Sequence, residues 1–186
     1  MEVQLTRRLF SVDEYLRMID VGILGQEDHV ELIDGDILQM APIGPTHVSC
    51  LAMLNRRLVI GVGDRGLVAP QITLPLDARS APEPDLTVLG PREIPYREAW
   101  VHPRDVLLLI EVSDTSVRHD REVKAPLYAR AGIRELWIVD VPGERVLVHR
   151  APQGGEYRSL EVVGRGAVVT SLAFPDLHVS VDEIFS

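Results

Sequence analysis

The sequence is poor in cysteine and aromatic residues and has no long apolar run. It contains one cysteine, Cys50, among 186 residues, and aromatic residues make up 5% of the chain. A single cysteine excludes an internal disulfide framework and a cysteine-based zinc cage. A membrane span needs about 18 or more consecutive apolar residues, and the sequence has no such run. We therefore expect no membrane association and predict a soluble, cytoplasmic protein.

Positive charge is also scarce. The chain has 19 Lys and Arg residues against 28 Asp and Glu residues, which gives a net charge of -9. An acidic surface disfavours an extended, non-specific hold on nucleic acid or anionic lipid, so any nucleic-acid contact must be local. With 46% hydrophobic residues, the chain is long enough for one sizeable core. We predict a single domain over 1–186, with its core at about 30–185.

The first half of the chain predicts two helices and a hairpin. Ser11 and Glu14 form a capping box that predicts a helix over 11–20. Residues 29–40 have apolar arms around Asp34-Gly35, a common two-residue hairpin turn. A second helix is expected from Thr46, its possible cap, to about Gly61. Residues 67–76 predict a strand, limited by prolines.

The second half predicts a sheet with a crossover helix. Residues 106–110 are five consecutive branched aliphatics, typical of a central strand that is buried on both faces. A helix over 120–131 separates this strand from a second apolar strand at 136–139, which predicts a parallel pair. Pro126 lies past the first turn of that helix and should bend it. A short strand is also expected at residues 86–89, followed by a loop over 90–104. Antiparallel strands at the sheet edge are expected at 145–149, 157–163 and 167–170.

Glu111 directly extends the buried strand, and a lone carboxylate there needs a metal, a cation or hydrogen bonds. Lys124 is a candidate partner, because it lies on one helical stripe with Asp120, Leu127 and Tyr128. The apolar members mark that stripe as the inward one. We therefore expect Lys124 to point towards Glu111. A structural salt bridge would explain the pair as well as a catalytic role would.

Several segments together resemble the Uma2 family of proposed restriction endonucleases, also called DUF820. The position of His47, in the helix after the hairpin, also resembles the pattern of that family. The resemblance covers about 30–185. The matching segments are 31–35 (ELIDG), 84–88 (PDLTV), 109–116 (LIEVSDTS), 120–124 (DREVK), 127–133 (LYARAGI) and 136–140 (LWIVD).

The resemblance implies the PD-(D/E)XK nuclease fold, a mixed sheet flanked by helices, in an α/β class that stricter counting would call α+β. It implies that Asp85 and Glu111 hold a divalent metal ion, with the Val112 backbone carbonyl as a possible further ligand. The expected ion is Mg²⁺, for which Mn²⁺ could substitute. The lysine of the motif is replaced by Ser113, so Lys124 would take its place. Asp85, Glu111 and Lys124 are then the predicted catalytic residues.

Four other polar residues are possible accessories to that site. Glu31 could reach the metal from the hairpin or balance a cation. His47 and Gln71 could line the cleft, although a hydrogen-bonded structural role explains each of them equally well. Asp120 is expected to be an N-cap or an i, i+4 partner of Lys124. The remaining histidines show no spacing typical of metal ligands.

Two classes of function stay open. The first is a metal-dependent endonuclease that hydrolyses DNA, and the second is an inactive nuclease fold that binds nucleic acid or a partner protein. Duplex binding needs clustered basic residues. Arg118 and Arg121 are the predicted DNA contacts, and Arg92, Arg97 and Arg104 are expected beside the same cleft. Cutting both strands is simplest with two symmetry-related sites, so a homodimer is expected.

Overall fold

The computed structural model describes residues 6–186, which form a six-stranded mixed sheet, two small two-stranded sheets and five α-helices. The strands are β1 (Val30–Ile33), β2 (Asp36–Gln39), β3 (Leu67–Pro70), β4 (Leu86–Leu89), β5 (Val106–Ser113), β6 (Glu135–Asp140), β7 (Arg145–Gln153), β8 (Glu156–Gly164), β9 (Val168–Thr170) and β10 (His178–Ser180). The helices are α1 (Val12–Asp20), α2 (Pro45–Val62), α3 (Val117–His119), α4 (Ala125–Arg130) and α5 (Val181–Ile184), with a π-helical turn at Asp120–Lys124 and 3₁₀ turns at Gln26–Asp28, Gly63–Arg65 and Pro103–Asp105.

The main sheet has the order β3-β4-β5-β6-β7-β8. β5 lies inside it, antiparallel to β4 and parallel to β6, which confirms the predicted central strand and crossover. Helix α2 packs on one face, where Leu54 and Leu58 join Leu108 and Ile110 in one apolar cluster. Helix α4 packs on the other face, where Tyr128 and others join a second cluster. The sheet is therefore covered on both sides, as a parallel pair requires.

The N-terminal helix and hairpin form a third apolar cluster beside the sheet, which includes Tyr15 and Leu32. The predicted capping box is present, since Ser11 Oγ accepts from the Glu14 N–H at 3.2 Å and Glu14 Oε2 accepts from the Ser11 N–H at 3.0 Å. The hairpin turn is also confirmed. Asp34 and Gly35 both have positive φ, 48° and 87°, as a type I′ turn requires.

The structure contradicts three of the predicted elements. The strand expected over 67–76 ends at Pro70, because Gln71 adopts a left-handed φ of 47°. Helix α2 is capped by Gly44, without a side-chain hydrogen bond, and Thr46 lies inside it. The strand expected at 167–170 is β9, which pairs with β10 in a separate small sheet instead of extending the main one.

The helical segment from Val117 to Arg130 shows the distortion that Pro126 predicts, in a specific form. The segment begins three residues before the expected position, and its middle is a π turn that ends where Ala125 donates to the Asp120 carbonyl, five residues back. Pro126 cannot donate a hydrogen bond and its ring would meet the carbonyl of Glu122. The wider turn immediately before it accommodates both constraints, and π turns of this kind often occur at functional sites.

One buried carboxylate ties the C-terminal segment to the sheet. Glu135, at the start of β6, accepts hydrogen bonds from Trp137, Arg150, Ser171 and the Leu172 N–H. Its desolvation is offset because each carboxylate oxygen accepts at least two hydrogen bonds. Within residues 6–186, no helix has the length and apolarity that a membrane span requires.

Candidate active site

Asp85 and Glu111 are brought together by the pairing of neighbouring strands. Asp85 immediately precedes β4, and Glu111 lies near the end of β5, where Leu86 pairs with Ile110 in the antiparallel register. Glu111 faces the α4 side of the sheet, since its neighbours in β5 alternate between the two apolar clusters. Both carboxylates line one cleft of about 1730 Å³.

Lys124 lies between two buried carboxylates. Its Nζ is 3.3 Å from Glu111 Oε1 and 2.9 Å from Glu31 Oε2. The prediction that Lys124 points towards Glu111 is therefore confirmed, and the hairpin supplies a second acidic partner. Burial alone would lower the pKa of Lys124, but Glu111 and Glu31 raise it above its ordinary value. Lys124 is thus held as a cation, which makes it a hydrogen-bond donor and not a base.

For Glu111, in contrast to Lys124, the surroundings favour the neutral form over the charged form. Burial, helped by the nearby charges of Asp120 and Asp85, raises its pKa to about 8 in spite of the opposing effect of Lys124. Its Oε1 accepts hydrogen bonds from Lys124 and from the Tyr128 hydroxyl, at 3.3 and 2.5 Å. Because Lys124 also faces Glu31, its ammonium stays stabilised whatever the protonation state of Glu111. The site as a whole carries more negative than positive charge.

The Asp85 carboxylate is oriented by donors on both oxygens. Oδ2 accepts from the Val112 N–H at 2.7 Å, and Oδ1 lies 3.0 Å from His47 Nε2. The hydrogen bond with Asp85 raises the pKa of His47, although burial opposes it, and the Val112 main chain contributes in the same direction. His47 therefore directly contacts one of the predicted metal ligands, Asp85.

The other accessory residues take different places. The Gln71 N–H donates to the Asp85 carbonyl at 3.2 Å, and Gln71 lines the cleft. Asp120 is buried, but it is neither an N-cap nor a partner of Lys124 in a direct ion pair. Its Oδ2 accepts from the hydroxyls of Ser113 and Ser116, both at 2.6 Å. Asp120 therefore ties the start of the helical segment to the end of β5, with Ser113 as one of the donors.

Sequence reasoning missed two residues of this site. His119 Nε2 lies 3.8 Å from Glu31 Oε1, and together with Lys124 it lowers the pKa of Glu31, which burial alone would raise. The π turn changes the phase of the helix, so His119 did not fall on the predicted stripe. Tyr128 was predicted only as core, although its position four residues after Lys124 placed its hydroxyl on the inward face.

The arginines predicted beside the cleft are mostly elsewhere. Arg92, Arg97 and Arg104 belong to the connection from β4 to β5, at the opposite end of these strands from Asp85 and Glu111. Arg92 is used internally, since it donates to the carbonyls of Trp100, Pro95 and Ala99 and pairs with Asp105. Arg118 and Arg121 are exposed on the helical segment that carries Lys124, and Arg118 pairs with Glu122 at 2.8 Å.

The chemistry of the site fits a hard divalent cation. Mg²⁺ prefers oxygen ligands and typically takes one or two carboxylates with water and substrate oxygens. Asp85 and Glu111 provide two carboxylates in surroundings with excess negative charge, and only one oxygen of Glu111 is engaged by Lys124 and Tyr128. Across residues 6–186, no group of three or more His, Cys, Asp or Glu side chains is placed to enclose a metal. Water and substrate would complete the coordination.

The Tyr128 hydroxyl should contribute to stability through Glu111. Tyr128→Phe is expected to lower the free energy of unfolding by about 1–2 kcal/mol, because a buried carboxylate loses a donor. Urea denaturation measures this change. Tyr157→Phe is the matched control, since its hydroxyl donates to a neutral carbonyl, that of Ile133, at 2.9 Å. An equal or larger loss in the control would contradict a special role for the Tyr128–Glu111 contact.

Comparison with known proteins agrees with this geometry. A family model described as Uma2, "Putative restriction endonuclease", matches residues 12–182. A crystal structure of a DUF820 protein from Anabaena variabilis ATCC 29413, described as a putative nuclease, is 21% identical, with a TM-score of 0.73 over 95% of this chain and 97% of that chain. The type IIG restriction endonuclease BpuSI aligns with a TM-score of 0.44 and 17% identity, over 78% of this chain and 16% of that chain.

No curated protein matches the sequence. The similarity to the Anabaena structure shows the fold, which is restriction-endonuclease-like and confirms the predicted fold class. The family model covers nearly all of the chain, including the strands and the helical segment that carry Asp85, Glu111 and Lys124. The chain therefore belongs to the Uma2 family of nuclease-like proteins.

Proposed function

We propose that this chain is a divalent-metal-dependent endonuclease that hydrolyses phosphodiester bonds of DNA. The observation that carries the proposal is the convergence of Asp85, Glu111 and Lys124 in one cleft. Asp85 directly precedes β4, Glu111 lies in β5, and Lys124 lies in the helical segment between β5 and β6. Membership of a family described as restriction endonucleases supports the reaction class, and such nucleases generally use a divalent metal.

Each residue has a distinct role in the proposal. Asp85 and Glu111 would hold the metal, with the Val112 carbonyl as a further possible ligand. The bound cation would polarise the phosphoryl group and lower the pKa of a bound water. Lys124, held protonated by Glu31 and Glu111, would donate a hydrogen bond to the attacking water or to a phosphate oxygen as negative charge grows on it.

The surrounding residues would position these groups. The Val112 N–H and His47 fix the Asp85 carboxylate, and Tyr128 fixes the Glu111 carboxylate. Glu31 binds the Lys124 ammonium together with Glu111. Such supports preserve the geometry that catalysis needs. Arg118 and Arg121, exposed on the helical segment, would contact phosphates outside the cleft.

Cleavage assays test this function directly. Supercoiled, linear and single-stranded DNA would be incubated with Mg²⁺ or Mn²⁺ and the wild type, Asp85→Ala or Lys124→Ala, each confirmed to be folded. We expect cleavage by the wild type alone, and none in the presence of a chelator. No cleavage by any protein, together with no metal-induced rise in wild-type melting temperature, would favour a nuclease fold that binds without cutting.

We also propose that the protein forms a homodimer. Two sites related by a two-fold axis are a simple way to cut both strands of a duplex. The edge strand β8 supports the proposal, because Leu160 and Val162 on it are 50% and 55% exposed. Light scattering should give the mass of two chains, and Leu160→Glu should shift it towards one. The mass of a single chain at micromolar concentrations would remove the dimer.

A further inference from the structure

The cleft beside the carboxylates has one acidic wall and one apolar wall. The acidic wall is the end of the sheet with the helical segment, which carries Asp85, Glu111 and Lys124. The apolar wall consists of the N-terminal helix, the hairpin and the segment that follows it. Its apolar side chains include Ile19, Leu24, Leu38, Met40, Pro42 and Ile43, and the same elements also carry the carboxylates of Glu27 and Glu31.

The size of the cleft points to a polymer segment. Its volume of about 1730 Å³ exceeds the roughly 300–1,000 Å³ of pockets for small ligands. The apolar wall is accessible as well, because Ile43 is 47% exposed. A cleft of this size can take several units of a chain that passes the predicted metal ligands.

The charges that line the cleft disfavour a continuous duplex. Seven carboxylates line it. Among the described residues, Lys124 is the single lysine that lines the cleft, and no arginine lines it. Three histidines, His29, His47 and His119, also line it. A duplex presents two rows of phosphates and is held by clustered Lys and Arg. Close approach of both rows to this cleft would be repulsive. The carboxylates are Glu27, Glu31, Glu83, Asp85, Glu111, Asp114 and Asp120.

We propose that the substrate enters this cleft as unpaired nucleotides, with bases against the apolar wall and one phosphate at Asp85, Glu111 and Lys124. Unpaired bases are neutral and expose flat apolar faces, which an Ile and Met surface can cover. A single strand brings one row of phosphates to the carboxylates instead of two, and the metal and Lys124 would compensate the scissile phosphate. This inference rests on the proposed nuclease function and narrows its substrate to single strands, or to duplexes opened at the cut.

Binding to short oligonucleotides separates the bases from the phosphates. Fluorescence anisotropy would be measured in Ca²⁺ with single-stranded DNA, single-stranded RNA, a continuous duplex, and a single strand carrying several consecutive abasic residues. We expect the single strand to bind at least about tenfold more tightly than the duplex, because repulsion is lower. The abasic strand should lose about five- to tenfold, because it keeps the phosphates but removes the apolar contact.

Variants of the apolar wall locate the contact. Ile43→Ser and Met40→Ser should each weaken binding of the single strand by about fivefold and leave binding of the abasic strand unchanged. Ile60→Ser is the matched control, since Ile60 is 68% exposed on α2 and does not line the cleft. A comparison of DNA with RNA in the same assay identifies which polynucleotide is preferred.

The possible failures can be told apart. If a continuous duplex binds and is cut as well as a single strand, or if removal of bases has no effect, the inference is wrong while the nuclease function stands. If the Ile43 and Met40 variants match Ile60→Ser, the apolar wall is not the base contact and the inference is also wrong. If no polynucleotide binds and none is cut, the proposed function itself fails.

Discussion

Asp85→Asn is expected to reduce metal-dependent DNA cleavage on the order of a thousandfold while leaving the fold intact. Asparagine keeps an oxygen that can accept from the Val112 N–H, a bond of 2.7 Å in the wild type. It removes the negative charge that would hold the cation, and that cation would contribute several kcal/mol of transition-state stabilisation. Initial rates of plasmid nicking and urea denaturation, measured on the same preparations, would show both effects.

Glu27→Gln is the matched control for this variant. Glu27 also lines the cleft, and its replacement removes one negative charge without touching the predicted metal ligands. We expect the rate to change by less than about threefold, as for an exposed charge that is screened by salt. Equal losses in both variants would mean that the general charge of the cleft matters, and not the carboxylate of Asp85.

Lys124→Met is expected to destabilise the protein by about 3–5 kcal/mol as well as to eliminate cleavage. Lys124 is buried and contacts the carboxyl groups of both Glu31 and Glu111. Removal of the cation leaves the buried Glu31 carboxylate without its charged partner and takes a donor from Glu111, and breaking such a buried pair costs more than the loss of a surface pair. Equilibrium urea denaturation at neutral pH measures the change in the free energy of unfolding.

A second substitution tests the cause of that loss. Glu31→Gln in the Lys124→Met background should recover part of the stability, with a coupling energy of about 0.5–3 kcal/mol, because the unpaired charge of Glu31 is gone. Arg118→Met is the surface control, since the Arg118 side chain is 88% exposed beside Glu122, and it should change stability by less than about 1 kcal/mol. If the effects of Lys124→Met and Glu31→Gln on stability were additive, this result would contradict the proposed charge cluster.

Much of the sheet could be predicted because each strand carries a local signal. The aliphatic run of 106–110 and the segment at 136–139 contain the residues that pack on both faces, so their burial and parallel pairing followed from sequence. The hairpin followed from Asp34-Gly35, which suits a turn with two positive φ angles. The separate β9-β10 sheet could not be predicted, because β10 has three residues and depends on a tertiary partner.

The candidate site was predictable where it rests on strand ends and helix periodicity. Lys124 and Glu111 met as expected, because the inward stripe of the helix faces the end of β5. The π turn was not predictable as such, since Pro126 indicates a distortion but not its type. His119 was missed for this reason. The misplaced arginines had another cause: the 90–104 loop joins the end of β4 to the start of β5, opposite Asp85 and Glu111, and the prediction did not take this consequence of the strand order into account.

The position of a bound metal would test the central claim most directly. Crystals grown with Mn²⁺ would be measured for anomalous scattering, with Mn²⁺ at concentrations that support cleavage. We predict a peak about 2.1 Å from oxygens of both Asp85 and Glu111, and its loss in Asp85→Asn. A peak at other carboxylates of the cleft, or none at this place in a wild-type protein that cleaves DNA, would contradict the account.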